Sequence, residues 1–190
     1  MILPIVQYGH PVLRKKGARI EALTPEIKKL IADMLDTMHD RHGVGLAAQQ
    51  IWQALQLAVI DVSAVTDRPS TLELGGKPAE VKDFMPLVLI NPEVKPVGAA
   101  VSGPEGCLSF PEIFADISRP ESVDVTALNQ HGKPFSFRCG GLLARAVQHE
   151  TDHLHGILFI DRMSTEKKKE LKEELEDLQA ETKAALKKTG

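Results

Sequence analysis

The sequence predicts an α+β fold, with small and mostly antiparallel sheets around a central helix and further helices near the two ends. Three observations lead there: one amphipathic helical stretch early in the chain, several short β-rich runs separated by turn residues, and a Gly- and Pro-free segment from Leu142 to Leu154. At 190 residues and 43% hydrophobic, the chain is long enough for one core and too short to require two. It therefore reads as a single catalytic domain spanning 1–190.

Thr24-Pro25-Glu26 combines an N-cap, a first-turn Pro and an acid, and opens a helix over Pro25 to Asp40. Ile27, Leu30, Ile31, Met34, Leu35 and Met38 give it one apolar face. Strands are expected at Gln56 to Val62, Leu87 to Ile90, Ser122 to Leu128 and Phe135 to Cys139, the last two joined by a turn at Asn129-Gln-His-Gly132. Residues 63–86, rich in Pro, Gly, Ser and Thr without a period, read as a long loop or insertion. A buried helix from Leu142 ends at Gly156, and a last helix runs from Ser164 or Thr165 to Lys188 with Leu171, Leu175 and Leu178 on one side.

Composition excludes several function classes. The net charge of −3 exerts no broad pull on nucleic acid or an anionic membrane, so no specific DNA partner is expected. The N-terminal residues lack a basic leader before an apolar run, and no stretch is apolar for the roughly eighteen residues a membrane helix needs. Two cysteines, Cys107 and Cys139, do not make a disulfide framework and suit a reducing compartment, so the cytoplasm is the expected location.

The chemistry concentrates in His149-Glu150-Thr151-Asp152-His153. Two imidazoles four apart share one helix face and can chelate one ion, while Glu150 can reach a water on that ion without coordinating it. The ion acidifies the water and the carboxylate moves its proton. Flanking Leu142, Leu143, Ala146, Val147 and Leu154 imply burial, where His and Glu need partners, and Asp152 is a candidate acceptor. Cys107, in Glu105-Gly106-Cys107-Leu108-Ser109, supplies a third ligand candidate, and two imidazoles with one thiolate leave a position open, as catalytic sites do. Gly43-Val44-Gly45-Leu46-Ala47-Ala48-Gln49-Gln50 has no Lys-Ser/Thr and no preceding strand, so it is a poor nucleotide loop. Its glycines permit close backbone approach, and the Gln50 amide could donate to a developing oxyanion.

With these segments assembled, the chain resembles the bacterial-type, iron-dependent peptide deformylases. The motifs Gly-x-Gly-Leu-Ala-Ala-x-Gln, Glu-Gly-Cys-Leu-Ser and Gln-His-Glu-x-Asp-His occur in order at Gly43 to Gln50, Glu105 to Ser109 and Gln148 to His153. Tyr8 to Leu13 and Gly156 to Asp161 extend the similarity over nearly the whole chain. The resemblance implies a hydrolase that removes the formyl group from N-formylmethionyl nascent peptides, releasing formate. It implies Cys107, His149 and His153 as ligands of one Fe²⁺, for which Zn²⁺, Ni²⁺ or Co²⁺ can substitute, Glu150 as general acid/base, and Gln50 with the Leu108 N–H facing the oxyanion. Methionine would enter a pocket of Val44, Leu142, Ala146 and His149, with the peptide backbone pairing at Val44 and Gly45. Arg145 stands where related sequences often carry an apolar residue, so its stem is expected to line the pocket while its charge reaches water. Phe114 replaces an Arg of many relatives, and 63–86 is longer than in compact members.

The resemblance also raises ribosome contact through the last helix and a monomeric state. From Glu166 to Lys188, seven Lys and seven Asp or Glu cancel, which equally describes a solvated helix resting on the domain. The competing reading is a His-Glu-x-x-His metallopeptidase, whose third ligand would lie downstream. His155 is too near for that, and Glu166 sits in a charged helix.

Overall fold

A computed structural model describes residues 1–190. Helix α1 spans Pro25–Asp40, as expected from its cap: the Thr24 hydroxyl accepts from the Ile27 N–H. Strands β1 (Gly45–Ala47), β2 (Leu57–Ile60), β3 (Ser70–Leu74), β4 (Lys77–Pro78), β5 (Leu87–Cys107), β6 (Phe110–Leu128) and β7 (Pro134–Gly140) form one antiparallel sheet in the order β1-β2-β5-β6-β7-β3-β4. Helix α2 is Gly141–Leu154, followed by α3 (Thr165–Glu170) and α4 (Lys172–Lys188).

Strand alternation explains why the central strands are buried on both faces. Leu57, Val59, Val88 and Ile90 pack with Met34 and Met38 of α1, whereas Ile60, Leu87 and Leu89 join Leu143, Ala146 and Val147 of α2. The metal-motif helix is thus clamped against the sheet by its own apolar residues. A third cluster, with Leu13, Phe110, Ile117, Phe159 and Leu171, closes the end of the β5–β6 hairpin.

Three expectations are corrected. Two of the strands are long rather than short: Leu87 to Ile90 opens a 21-residue β5, and Ser122 to Leu128 closes a 19-residue β6. Pro and Gly ordinarily interrupt a strand, but the ladder absorbs Pro92, Pro96 and Gly98 through register shifts between Ile90 and Glu93 and between Val97 and Ala100. Residues 63–86 contain β3 and β4 instead of a bare loop, with β3 paired to β7. This segment also caps α2, since Pro69 O accepts from Leu142 N and Ser70 Oγ from Leu143 N, two donors without an intrahelical partner. The last helix, expected as one piece, breaks at Leu171, which is buried and becomes the C-cap of α3.

Candidate active site

The β5–β6 hairpin turns through Leu108 and Ser109, because Cys107 pairs with Phe110. This leaves Cys107 at the strand end, facing α2. Its Sγ lies 3.4 Å from His153 Nε2, and the donor atoms of Cys107, His149 and His153 all fall within 4.8 Å of one another. The expected trio therefore converges, although Cys107 and His149 lie 42 positions apart in the sequence.

Glu105 holds this arrangement in place. It sits two residues before Cys107 on the same strand and accepts from His149 Nδ1 at 2.8 Å. A carboxylate can only accept, so Nδ1 carries a proton and Nε2 is the nitrogen left to face an ion. Arg119 grips both Glu105 oxygens, at 2.6 and 2.9 Å, and reaches Asp152 at 2.8 Å, while Arg162 closes on Asp152 in a two-pronged contact. Asp152 thus acts as the acceptor its place in the motif suggested. Burial pushes the Glu105 carboxyl up, but hydrogen bonds from His149 and Arg119 outweigh it and hold the group at about 2.

Arg145 departs from expectation. Its guanidinium turns inward and not out to water: it donates to Glu105 Oε2, Ile117 O and Val101 O at 2.7 to 2.8 Å, in space left open by Gly103. A buried carboxylate needing donors is a stronger attractor than the solvent beyond the cleft. The stem still lines the cleft, but the charge belongs to the ligand-holding network.

Glu150 is fully buried, one of its oxygens has no protein partner, and burial pushes its carboxyl up to about 7, within reach of proton transfer at neutral pH. A Cβ on Gly45 would lie 2.5 Å from Glu150 Oε1, so only glycine lets β1 approach this carboxylate. The Gln50 amide is oriented by Ala47 N–H donating to Oε1 and by Nε2 donating to Ser109 Oγ, with Cys107 Sγ 3.5 Å from the same nitrogen. The N–H of Leu108, in the hairpin turn, donates to no backbone carbonyl. Val44, Gly45, Leu142, Arg145 and Ala146 all line a cleft of about 820 Å³ that opens onto these groups. Phe114 stands in the same cleft, 65% exposed, over Gly106.

The donor set fits a divalent cation. Burial lowers His149, yet the neighbouring Cys107 and Glu105 raise it well above the ordinary value, whereas burial and the charge on His149 push His153 well down. One positive charge is favoured among three soft or borderline donors, and an ion ligated by a thiolate and two imidazoles supplies it.

The family model described as polypeptide deformylase matches residues 2–169. The chain belongs to that family. A peptide deformylase of Methylacidiphilum infernorum is 50% identical over 178 residues, covering 94% of this chain and 93% of the relative. The crystal structure of a peptide deformylase from Legionella pneumophila superposes with a TM-score of 0.78 at 36% identity, covering 93% and 95% of the two chains. One from Synechococcus elongatus, in complex with actinonin, gives 0.76 at 36% identity over 90% and 85%. Family membership makes the chain a metal-dependent hydrolase and selects the deformylase reading over the metallopeptidase one. In the structure Cys107, and not Glu166, joins the two histidines, and Glu166 lies exposed on α3.

Sequence reasoning missed the roles of Glu105, Arg119 and Arg145. Glu105 was readable in principle, since alternation puts residues two apart on one strand face. Arg119 was not, because its place depends on the register of the long hairpin.

Proposed function

We propose that this chain hydrolyses the formamide of N-formylmethionyl peptides at the site built by Cys107, His149, His153 and Glu150. The observation that carries it is an open three-donor set beside a buried carboxyl, at the end of a cleft flanked by a free strand edge. A divalent cation on the three donors supplies Lewis acidity, acidifying water and polarising a carbonyl. Glu150 takes a proton from the attacking water and returns it to the departing amine, so that the C–N bond breaks to formate and a free N-terminus. Gln50 Nε2 and the Leu108 N–H donate to the oxygen that becomes negative in the transition state. Strand β1 is at the sheet edge, so its outer side at Gly45 and neighbouring Val44 can pair with an extended peptide. Val44, Leu142, Ala146 and the Arg145 stem take the methionine side chain.

The assay compares formate release from formyl-Met-Ala-Ser with cleavage of an internally quenched peptide. Formate from the first and no cleavage of the second is expected, and the reverse would favour a metallopeptidase. We take Fe²⁺ as the working ion from the family resemblance, since a thiolate with two imidazoles suits zinc, iron, cobalt or nickel alike. Anaerobic purification with metal analysis tests this, and an inert iron form beside a fully active zinc form contradicts it. No helix is long and apolar enough to cross a membrane. The same reading places a monomer on nascent chains, with α3 and α4 available to the ribosome, which co-sedimentation of the purified chain with ribosomes would reveal.

A further inference from the structure

Gln50 and Leu108, proposed above to receive the oxyanion, come from different parts of the chain, and one N-terminal segment ties them together. Val6 N donates to Gln50 O at 2.8 Å, Gln7 Nε2 to Leu108 O at 3.2 Å, and Tyr8 N to Ser109 O at 2.9 Å. The Tyr8 ring stacks on Phe110, the residue that closes the same hairpin, with centroids 4.8 Å apart. Two of the three ties are backbone donors in register with the hairpin turn and the Gln50 turn. The third is a side chain, and it reaches Leu108, which lines the cleft and whose N–H donates to no backbone carbonyl.

The orientation of the Gln7 carboxamide is fixed by chemistry. Nε2 faces two carbonyl oxygens, Ile5 O at 3.3 Å and Leu108 O at 3.2 Å. Flipped, the amide would set its own oxygen against both. The side chain lines the cleft, so its hydrogen bonds lie beside the reacting groups and are not part of a remote scaffold. The Leu108 carbonyl and N–H belong to adjacent peptide planes joined at one Cα, and the Cys107–Phe110 pairing and the Tyr8 tie already hold the two ends of the turn. A donor on the Leu108 carbonyl fixes the second plane, which limits how far the first, with its N–H, can turn about the Leu108 Cα.

We infer that Gln7 is a positioning residue for deformylation, holding the Leu108 turn so that its N–H points at the developing oxyanion. This rests on the oxyanion role given to Gln50 and Leu108. Preorganised donors act on the transition state more than on the ground state, so losing the restraint lowers kcat and leaves KM nearly unchanged. Direct removal of an oxyanion donor costs about 10²- to 10³-fold, and misaiming one costs less, on the order of tenfold.

The test compares wild type, Gln7→Met and Gln7→Glu with formyl-Met-Ala-Ser, expressing kcat per mole of folded, metal-loaded protein. Both variants keep the chain length and lose the donor toward Leu108 O. A kcat lower by about tenfold in both near neutral pH, KM within twofold, and, for Gln7→Met, an unchanged pH profile are expected. A kcat within twofold of wild type in either variant overturns the proposal, as does a loss confined to KM, which would make Gln7 a substrate contact. Gln50→Ala in the same series separates the two readings. If it too leaves kcat intact, the oxyanion assignment has failed, and if wild type releases no formate, the proposed activity has failed.

Discussion

The two walls of the cleft are built on different physical principles. The α2 wall is ionic: Glu105 and Asp152 are shared among Arg119, Arg145 and Arg162, and the network ends on His149. The opposite wall, made of Gln50, the Leu108 turn and residues 6–8, is held by neutral hydrogen bonds. An ion needs ligands fixed in tautomer and direction, which a buried carboxylate provides at the cost of needing buried cations of its own. An oxyanion that exists only in the transition state needs donors already in place but no fixed charge. The ionic wall should therefore fail through metal loss and acid, and the neutral wall through kcat.

The comparison breaks most visibly at the ligands. Cys107→Ala removes the sulfur from an already minimal set, and we expect loss of stoichiometric metal and of formate release by at least about 10³-fold. Metal bound at one ion per chain in that variant would remove Cys107 from the site. Gln50→Ala, on the neutral wall, should cost about 10²- to 10³-fold in kcat with metal retained. Glu105→Gln should weaken metal binding or activity about 10- to 100-fold, read by competition with a chelator, because Gln cannot match the carboxylate as an acceptor for His149.

Acid should act on the ionic wall. The Glu105 carboxyl sits at about 2 in the folded chain against an ordinary value of 4.5, so its stabilisation is complete above about pH 4.5 and is lost as pH falls toward 2. That difference is worth on the order of 3 kcal/mol. Urea midpoints of the metal-free chain between pH 5 and 2 should fall more steeply in wild type than in Glu105→Gln, and parallel slopes would deny Glu105 this role. Arg145→Met should destabilise by about 2–3 kcal/mol, less than a fully stranded charge because Arg119 still pairs Glu105. The smallest effect is a non-event: Cys139 is buried, and burial, with Asp124 nearby, pushes its thiol up to about 12. Alkylation of the folded chain at pH 8, mapped by mass spectrometry, should leave Cys139 unmodified.

The site was legible where chemistry follows local spacing. His149, Glu150 and His153 declare themselves within one helical turn, and Pro25–Asp40 through its cap and apolar face. Cys107 was legible only as the thiolate that completes the two-imidazole set, because a lone cysteine carries no spacing of its own. Arg145 was misplaced because snorkelling to water is the default for an arginine beside an apolar pocket, and only the register of β5 and β6 shows a carboxylate within its reach. The strands of 63–86 were hidden for a similar reason: β3 is an outer strand whose pairing with β7 is long-range, and Gly75-Gly76 looks like a loop until its flanks are seen to pair.

The proposed reaction turns on Glu150, whose buried carboxyl would move the proton of a water held by the ion without ligating the ion itself. The most direct measurement is Glu150→Ala, with metal content and formate release determined on the same sample. The account predicts one ion per chain and formate release reduced by at least about 10³-fold. Metal-loaded Glu150→Ala releasing formate at the wild-type rate would contradict it.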